Sequence, residues 1–341
     1  MIVDVQTFLS LREKLPLVDV RSEGEYASGH VPPAVNIPLL NNEERVAVGT
    51  DYKRKGQLEA IKTGFRLVGP RLEAMLDEAL ALGNELVVYC WRGGMRSSNF
   101  CQFASMAKIE THQLKGGYKA YRRLAAEKFN TPFQLIVLGG CTGSGKSEIL
   151  RALASSGEQV IDLEKLARHK GSAFGGLMQP AQPTTEQFHN DLFESMLGLD
   201  PSRRVWVEDE SLTIGKVVLP QDFWSQMRSA IVVEVLLDKS IRVRRLANEY
   251  GIADREEFLE SMTRITRKLG GQHFLAAKEK LMLDDMESTI EILLTYYDKA
   301  YEKGLENKKA RIKLRTSWDG VMVDHYAAQL LTEVDRLPVL V

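Results

Sequence analysis

Two stretches of this 341-residue chain combine residue types that can do chemistry: Cys90-Trp-Arg92-Gly93-Gly94-Met-Arg96-Ser97 and Gly140-Cys-Thr-Gly143-Ser-Gly145-Lys146-Ser147. In the first, a thiol follows the apolar run Leu86-Val-Val-Tyr89 and precedes a helical pattern. A strand–turn–helix passage puts the sulfur among backbone N–H groups and near a helix N-terminus, beside Arg92 or Arg96, where a thiolate is stabilised. A lowered thiol pKa and a nucleophile at neutral pH are expected. Gly93 and Gly94 let the loop wrap closely around the sulfur and anything attached to it. A free cysteine is ordinarily a small buried hydrophobe. The flanking arginines and glycines argue for catalysis at Cys90, whereas Cys101, near Phe100 and Ala104 on a helix face, reads as core.

The second stretch fits the pattern G-x-x-x-x-G-K-[ST], after an apolar strand at Phe133–Leu138 and before a helix from Lys146. Its glycines let successive N–H groups turn toward phosphate oxygens, and the helix N-terminus adds its positive end. Lys146 supplies a point charge to the terminal phosphates and Ser147 a magnesium ligand. Further along, Val205-Trp-Val207 followed by Glu208-Asp209-Glu210 reads as a strand ending in acids, one of which would hold magnesium or polarise a nucleophile. Spacing does not choose among the three; Ser147 with Glu208 is the candidate metal pair. His169, Lys170 and Ser172 follow another strand, Gln159–Asp162, in the region that contacts the acceptor in P-loop kinases; a polar turn is an equal alternative. Arg242 and Arg245 are candidates for a phosphate lid. With Arg244, Arg264, Arg267, Lys268 and the run Lys308, Lys309, Arg311, Lys313, Arg315, they are also candidates for an RNA footprint. For any one of them, a solvated face paired with glutamate is the ordinary state. The six histidines have no metal-ligand spacing with cysteine, so a structural zinc is not expected.

The elements that must position these residues follow from hydropathy. Residues 1–128 alternate apolar runs at Leu17–Val20 and Leu86–Tyr89 with helical stretches such as Glu73–Leu82 and Ser97–Ala107. This predicts an α/β domain with a mostly parallel sheet covered on both faces. Turn and helix-stop residues at Phe129-Asn-Thr-Pro132 mark a boundary. Residues 132–341 then read as a P-loop α/β domain, with strands at Gln159–Asp162, Val205–Val207 and Ile231–Leu237. A helical segment follows over about 240–305, with a late strand inside Lys308–Arg315. A net charge of −1 gives no global attraction for nucleic acid, so any RNA must be met by local patches. Three cysteines make no disulfide framework, the first residues lack a basic-then-apolar leader, and no run of 18 apolar residues occurs. A cytoplasmic protein without a membrane role is expected. The oligomeric state is open, a monomer being compatible with the sequence.

Asp19-Val-Arg-Ser-Glu-Gly-Glu-Tyr26, Gly29-His-Val-Pro32 and Ala34-Val-Asn-Ile-Pro38 resemble the hallmark segments of rhodanese domains, and Cys90–Ser97 resembles their active-site loop. Pro33 stands where rhodaneses often carry glycine. A rhodanese-like domain followed by a P-loop domain resembles the tRNA 2-selenouridine synthase family over about residues 1–320. Val48-Gly-Thr-Asp-Tyr-Lys53 with Gly56, His169-Lys-Gly-Ser-Ala-Phe-Gly175, Glu208-Asp-Glu-Ser211 and Ile214-Gly215 strengthen that likeness. Lys170 stands where members tend to have arginine, exchanging a bidentate donor for a point charge. The resemblance implies a transferase acting on the wobble 2-thiouridine of tRNA. Geranyl diphosphate first alkylates the sulfur; selenophosphate then supplies selenium and geranylthiol leaves, giving 2-selenouridine. It further implies that the P-loop holds geranyl diphosphate or else a nucleotide. Cys90 would carry selenium as a perselenide or position selenophosphate, with Arg92 and Arg96 on the phosphoryl end. Two other classes compete. A persulfide sensor coupled to a P-loop switch would bind nucleotide without tRNA; a small-molecule kinase with a sulfur carrier would hydrolyse ATP only with its acceptor.

Overall fold

In the computed structural model, which describes residues 1–306 and 308–338, the short apolar runs of the first third pair side by side. Strands β1 (Ile2–Val3), β2 (Leu17–Asp19), β3 (Val35–Asn36), β4 (Glu85–Tyr89) and β5 (Glu110–Leu114) form one sheet in the order β1-β5-β4-β2-β3, every pairing parallel. Leu86, Val87, Val88 and Tyr89 are fully buried, as a central parallel strand covered on both faces requires. Helices Leu72–Leu82 and Met95–Met106 fall where the spacing predicts them, and Val18, Val88, Phe100 and Ala104 share one core. Helices Asn42–Lys55 and Gln57–Val68, joined at Gly56, occupy the chain before β4.

The second sheet contains β6 (Gln134–Gly140), β7 (Gln159–Ile161), β8 (Arg204–Glu208), β11 (Ile231–Leu237) and β12 (Ile312–Trp318). Their order is β12-β11-β6-β8-β7, again all parallel; β9 (Thr213–Ile214) and β10 (Val217–Val218) form a small antiparallel pair apart from it. β12 is an edge strand. Ile312, Leu314 and Thr316 alternate with exposed Lys313 and Arg315, so charge discourages pairing at that edge. Five helices between Lys239 and Glu306 pack around Phe258, Met262, Leu293 and Leu294.

The chain divides into two compact units: Met1–Lys128 with His189–Glu194, and residues 129–188 with those from Ser195 onward. The expected division left His189–Glu194 with the second domain. They group with the first because Arg12 forks onto Glu194 (2.8 Å to Oε1) and Asn190 donates to the Tyr118 hydroxyl (2.7 Å). Among the described residues, no helix is long and apolar enough to cross a membrane.

Candidate functional site

Cys90 is the first residue past β4 and only 3% exposed. Its Sγ lies 3.1 Å from the Ser97 hydroxyl and 4.0 Å from the Gly94 carbonyl. Gln113 donates to both Ser97 Oγ and the Gly93 carbonyl at 2.9 Å, so the single Ser97 proton is left for the Gly94 carbonyl or the sulfur. The loop is tied down by Tyr118 N–H on the Cys90 carbonyl (2.8 Å) and Lys119 N–H on the Trp91 carbonyl (3.0 Å). Gly117, at φ +58°, faces it so closely that an added Cβ would fall 2.5 Å from Gly93 N and 2.9 Å from Arg92 N, and nearer still to the Cys90 carbonyl. The pair Gly116-Gly117 therefore moulds the cysteine loop, a role that sequence reasoning missed. The available signal was a double glycine one residue past β5, the neighbour of β4.

The two arginines of the loop part company. Arg92 is exposed, with no hydrogen bond or ion pair among the described residues. Arg96 forks onto Glu25 (2.5 and 3.2 Å); burial pushes the Glu25 carboxyl up, but Arg96 outweighs it and holds the group below its ordinary pKa. Beneath the loop, Arg21 and Asp19 form a fully buried ion pair at 2.7 Å, with the guanidinium 3.9 Å over the Tyr118 ring.

In the second unit, β6 runs into the glycine-rich loop and the helix Lys146–Ser155. Gly145, at φ +78°, caps that helix with the Trp318 ring and Arg245 Nη2 directly against it, leaving no room for a Cβ. Gly143 lies under Leu246, and Gly140 offers its carbonyl to Lys146 Nζ (3.1 Å). Ser147 donates to Glu164 Oε2 at 2.8 Å. The three acids after β8 separate. Glu208 is fully buried; its Oε2 accepts from Leu163 N–H (2.8 Å) while its Oε1 has no partner. Burial, with Asp162 and Glu164 close by, drives its pKa well up. Burial and Glu164 also push Glu210 to about 8, against the pull of Lys146. Asp209 turns away to pair with Lys308. A hydroxyl, two carboxylates of raised proton affinity and an orphaned Oε1 are oxygen donors of the kind that a hard divalent cation takes. Ser147 and Glu164, joined by that 2.8 Å hydrogen bond, would hold magnesium, with Glu208 as the buried acid beside Leu163. Glu164 is the residue that spacing alone gave no role.

The weaker candidates are mostly engaged. His169 is packed against Gly175, burial lowers its imidazole pKa, and its Nδ1 is unpartnered. Lys170 pairs with Glu249, and Ser172 Oγ accepts from Phe174 N–H (3.2 Å) within its own turn. Arg242 forks onto Asp298 (2.8 and 3.0 Å) and donates to the Thr142 carbonyl (3.3 Å), so it braces the glycine-rich loop. Arg245 pairs with Glu148 and stacks 5.0 Å over Trp318. Of the basic run, Lys308 is taken by Asp209, Arg315 by Glu234 and Arg311 by the carbonyls of Met227 and Ala230, while Arg264 pairs with Glu260. A groove in the first unit is lined by Asp4, Lys115, Gly116, Lys119, Arg122 and Arg123; Lys115 and Lys119 are exposed there, while Arg122 donates to Asn190 (2.7 Å) and Arg123 pairs with Glu127. Glu85, Glu110 and His112 bring their donor atoms within 4.8 Å of one another at the amino ends of β4 and β5, with Glu85 bonded to His112.

Two family models match the chain in order. One, described as a rhodanese-like domain, covers residues 4–124; the other, described as a tRNA 2-selenouridine synthase AAA domain, covers residues 133–332. Curated relatives carrying the name tRNA 2-selenouridine synthase include the Nitrosomonas europaea protein, 33% identical over 90% of this chain and 93% of its own length. The Hydrogenovibrio crunogenus protein is 34% identical over 91% and 94%, and that of Shewanella sp. strain ANA-3 36% identical over 89% and 92%. With both halves matched in this order and nearly full-length relatives above 30% identity, the chain belongs to the tRNA 2-selenouridine synthase family.

Proposed function

We propose that this protein converts the wobble 2-thiouridine of tRNA into 2-selenouridine in two steps, the P-loop serving the first and the cysteine loop the second. In the first step, the uridine sulfur attacks C1 of geranyl diphosphate, the C–O bond breaks, diphosphate leaves with the electron pair, and the base gives up its N3 proton to solvent. Lys146 and the loop N–H groups meet that charge, as catalysis of such a departure requires. A bound magnesium ion would neutralise further oxygens of the same group.

In the second step, selenium of selenophosphate adds at C2 of the base. The C2–S bond breaks, geranylthiolate leaves with its electrons and takes a proton, and water then cleaves the P–Se bond to release phosphate. The sequence is redox-neutral. A perselenide on Cys90 would need a two-electron oxidant, because selenophosphate selenium is already fully reduced. Cys90 and Ser97 therefore hold and orient the donor, with Arg92, the uncommitted guanidinium of the loop, on its phosphoryl end. The exposed Lys115 and Lys119, next to Gly116 and Gly117, supply contacts for the RNA backbone.

The observation that carries this reading is that the glycine-bearing turns Cys90–Gly94 and Cys141–Gly145 each leave the carboxyl end of the central strand of a five-stranded parallel sheet. Its test is nucleoside mass spectrometry of thiolated tRNA incubated with geranyl diphosphate and then selenophosphate. S-geranyl-2-thiouridine and then 2-selenouridine are expected, with Cys90→Ala stopping at the geranylated form. Thiolated tRNA left unchanged by the wild-type protein with both donors present would overturn the proposal.

A further inference from the structure

We propose that an apolar pocket beside the cysteine loop houses the geranyl chain of S-geranyl-2-thiouridine while the sulfur is exchanged, an assignment that rests on the two-step reading above. The pocket encloses about 310 Å³ between the helices Asn42–Lys55, Gln57–Val68 and Met95–Met106. This lies at the low end of the roughly 300–1,000 Å³ typical of small-molecule sites and suits a hydrocarbon tail. Val48, Tyr52, Ile61, Phe65, Phe103 and Met106 are among the side chains around it. Three of them are left open to water, Tyr52 at 52%, Phe65 at 68% and Met106 at 85% exposure. A gathering of exposed large apolar groups around one cavity marks a binding site for an apolar group.

Its location and charge narrow the occupant. Met95 and Arg96, which directly follow the Cys90–Gly94 turn, line the pocket, so whatever fills it has its polar end at the sulfur-handling loop. Arg96 is the sole charged residue of the lining, and its guanidinium is committed to Glu25. The pocket therefore has no uncommitted cation for a diphosphate or carboxylate head, and the donor geranyl diphosphate belongs at the P-loop. An uncharged thioether tail, entering with the base, matches the lining. When the C2–S bond breaks, geranylthiolate departs with its electron pair and is protonated. Its chain is then already in an apolar environment, and the chalcogen exchanged is separated from the incoming selenium.

The test compares binding of two synthetic anticodon stem-loops, one with 2-thiouridine and one with S-geranyl-2-thiouridine, to the full-length protein. Wild type is expected to prefer the geranylated RNA by at least about tenfold, the effect of burying roughly two methylenes. Phe65→Glu, at an exposed position that leaves folding intact, should bring that ratio to about one; Phe65→Leu should retain it. Selenation of pre-geranylated RNA should slow in Phe65→Glu by a comparable factor. A preference that survives Phe65→Glu, or a Phe65→Glu defect in binding geranyl diphosphate instead, overturns the pocket assignment. Absence of any selenation by wild type would sink the two-step reading itself, a separate outcome.

Discussion

Replacing Gly117 with alanine tests whether the cysteine loop is held in shape by the double glycine. The new Cβ would meet Gly93 N at 2.5 Å, Arg92 N at 2.9 Å and, nearer still, the Cys90 carbonyl; all three are backbone atoms, so no side chain can swing aside. Overpacking of this kind costs about 1–3 kcal/mol. Holding an L-residue at φ +58° adds roughly 1 kcal/mol. The Tyr118–Cys90 backbone hydrogen bond, 2.8 Å long, lies in the same contact, and its loss adds about 1 kcal/mol. A local destabilisation of about 3–5 kcal/mol follows, which accelerates amide exchange across Leu86–Gly94 by roughly 100-fold or more. Hydrogen–deuterium exchange reads that change directly, and iodoacetamide labelling of Cys90, buried in the native loop, should quicken with it. Gly94→Ala is the control: in the same loop, at φ −100°, its Cβ meets nothing within 4 Å. Exchange and labelling of Gly117→Ala within twofold of wild type would refute the moulding role.

Two further outcomes follow from the geometry. Lys146→Ala should weaken geranyl diphosphate binding by about 10- to 100-fold in calorimetric titration, the loss of one charge-assisted contact, and unchanged affinity would remove the P-loop from the first step. The double variant Lys115→Ala, Lys119→Ala should reduce the slope of log affinity for tRNA against log salt by about 1.4–1.8, while Lys313→Ala leaves it nearly unchanged. The reverse pattern would return the RNA footprint to the second unit.

Both loops are legible in the sequence because each is a contiguous stretch of chain. The Gly140–Ser147 octet and Cys90–Ser97 carry their own turn residues, and the flanking apolar runs become β6 and β4. What arrives from elsewhere in the chain is not legible. Charge pairing across long separations leaves no periodicity, so nothing near Arg96 announces Glu25, and nothing near Arg242 announces Asp298. Composition alone made Lys308–Arg315 a basic patch. In three dimensions Lys308, Arg311 and Arg315 are spent on Asp209, backbone carbonyls and Glu234, whereas the alternation of Ile312, Leu314 and Thr316 did betray a strand. β1 and β3, two residues each, are too short for any periodic signal.

That the first unit takes in His189–Glu194 has a consequence for synthesis and dissection of the chain. A fragment ending at Lys128 lacks the Glu194 carboxylate, leaving Arg12 only the Pro32 carbonyl, and lacks the Asn190 amide that donates to the Tyr118 hydroxyl. On the ribosome, the amino-terminal sheet can assemble early, but its last tether emerges only after the glycine-rich loop has been made. A cut at the apparent seam thus takes from the first unit contacts that only a much later stretch of chain supplies.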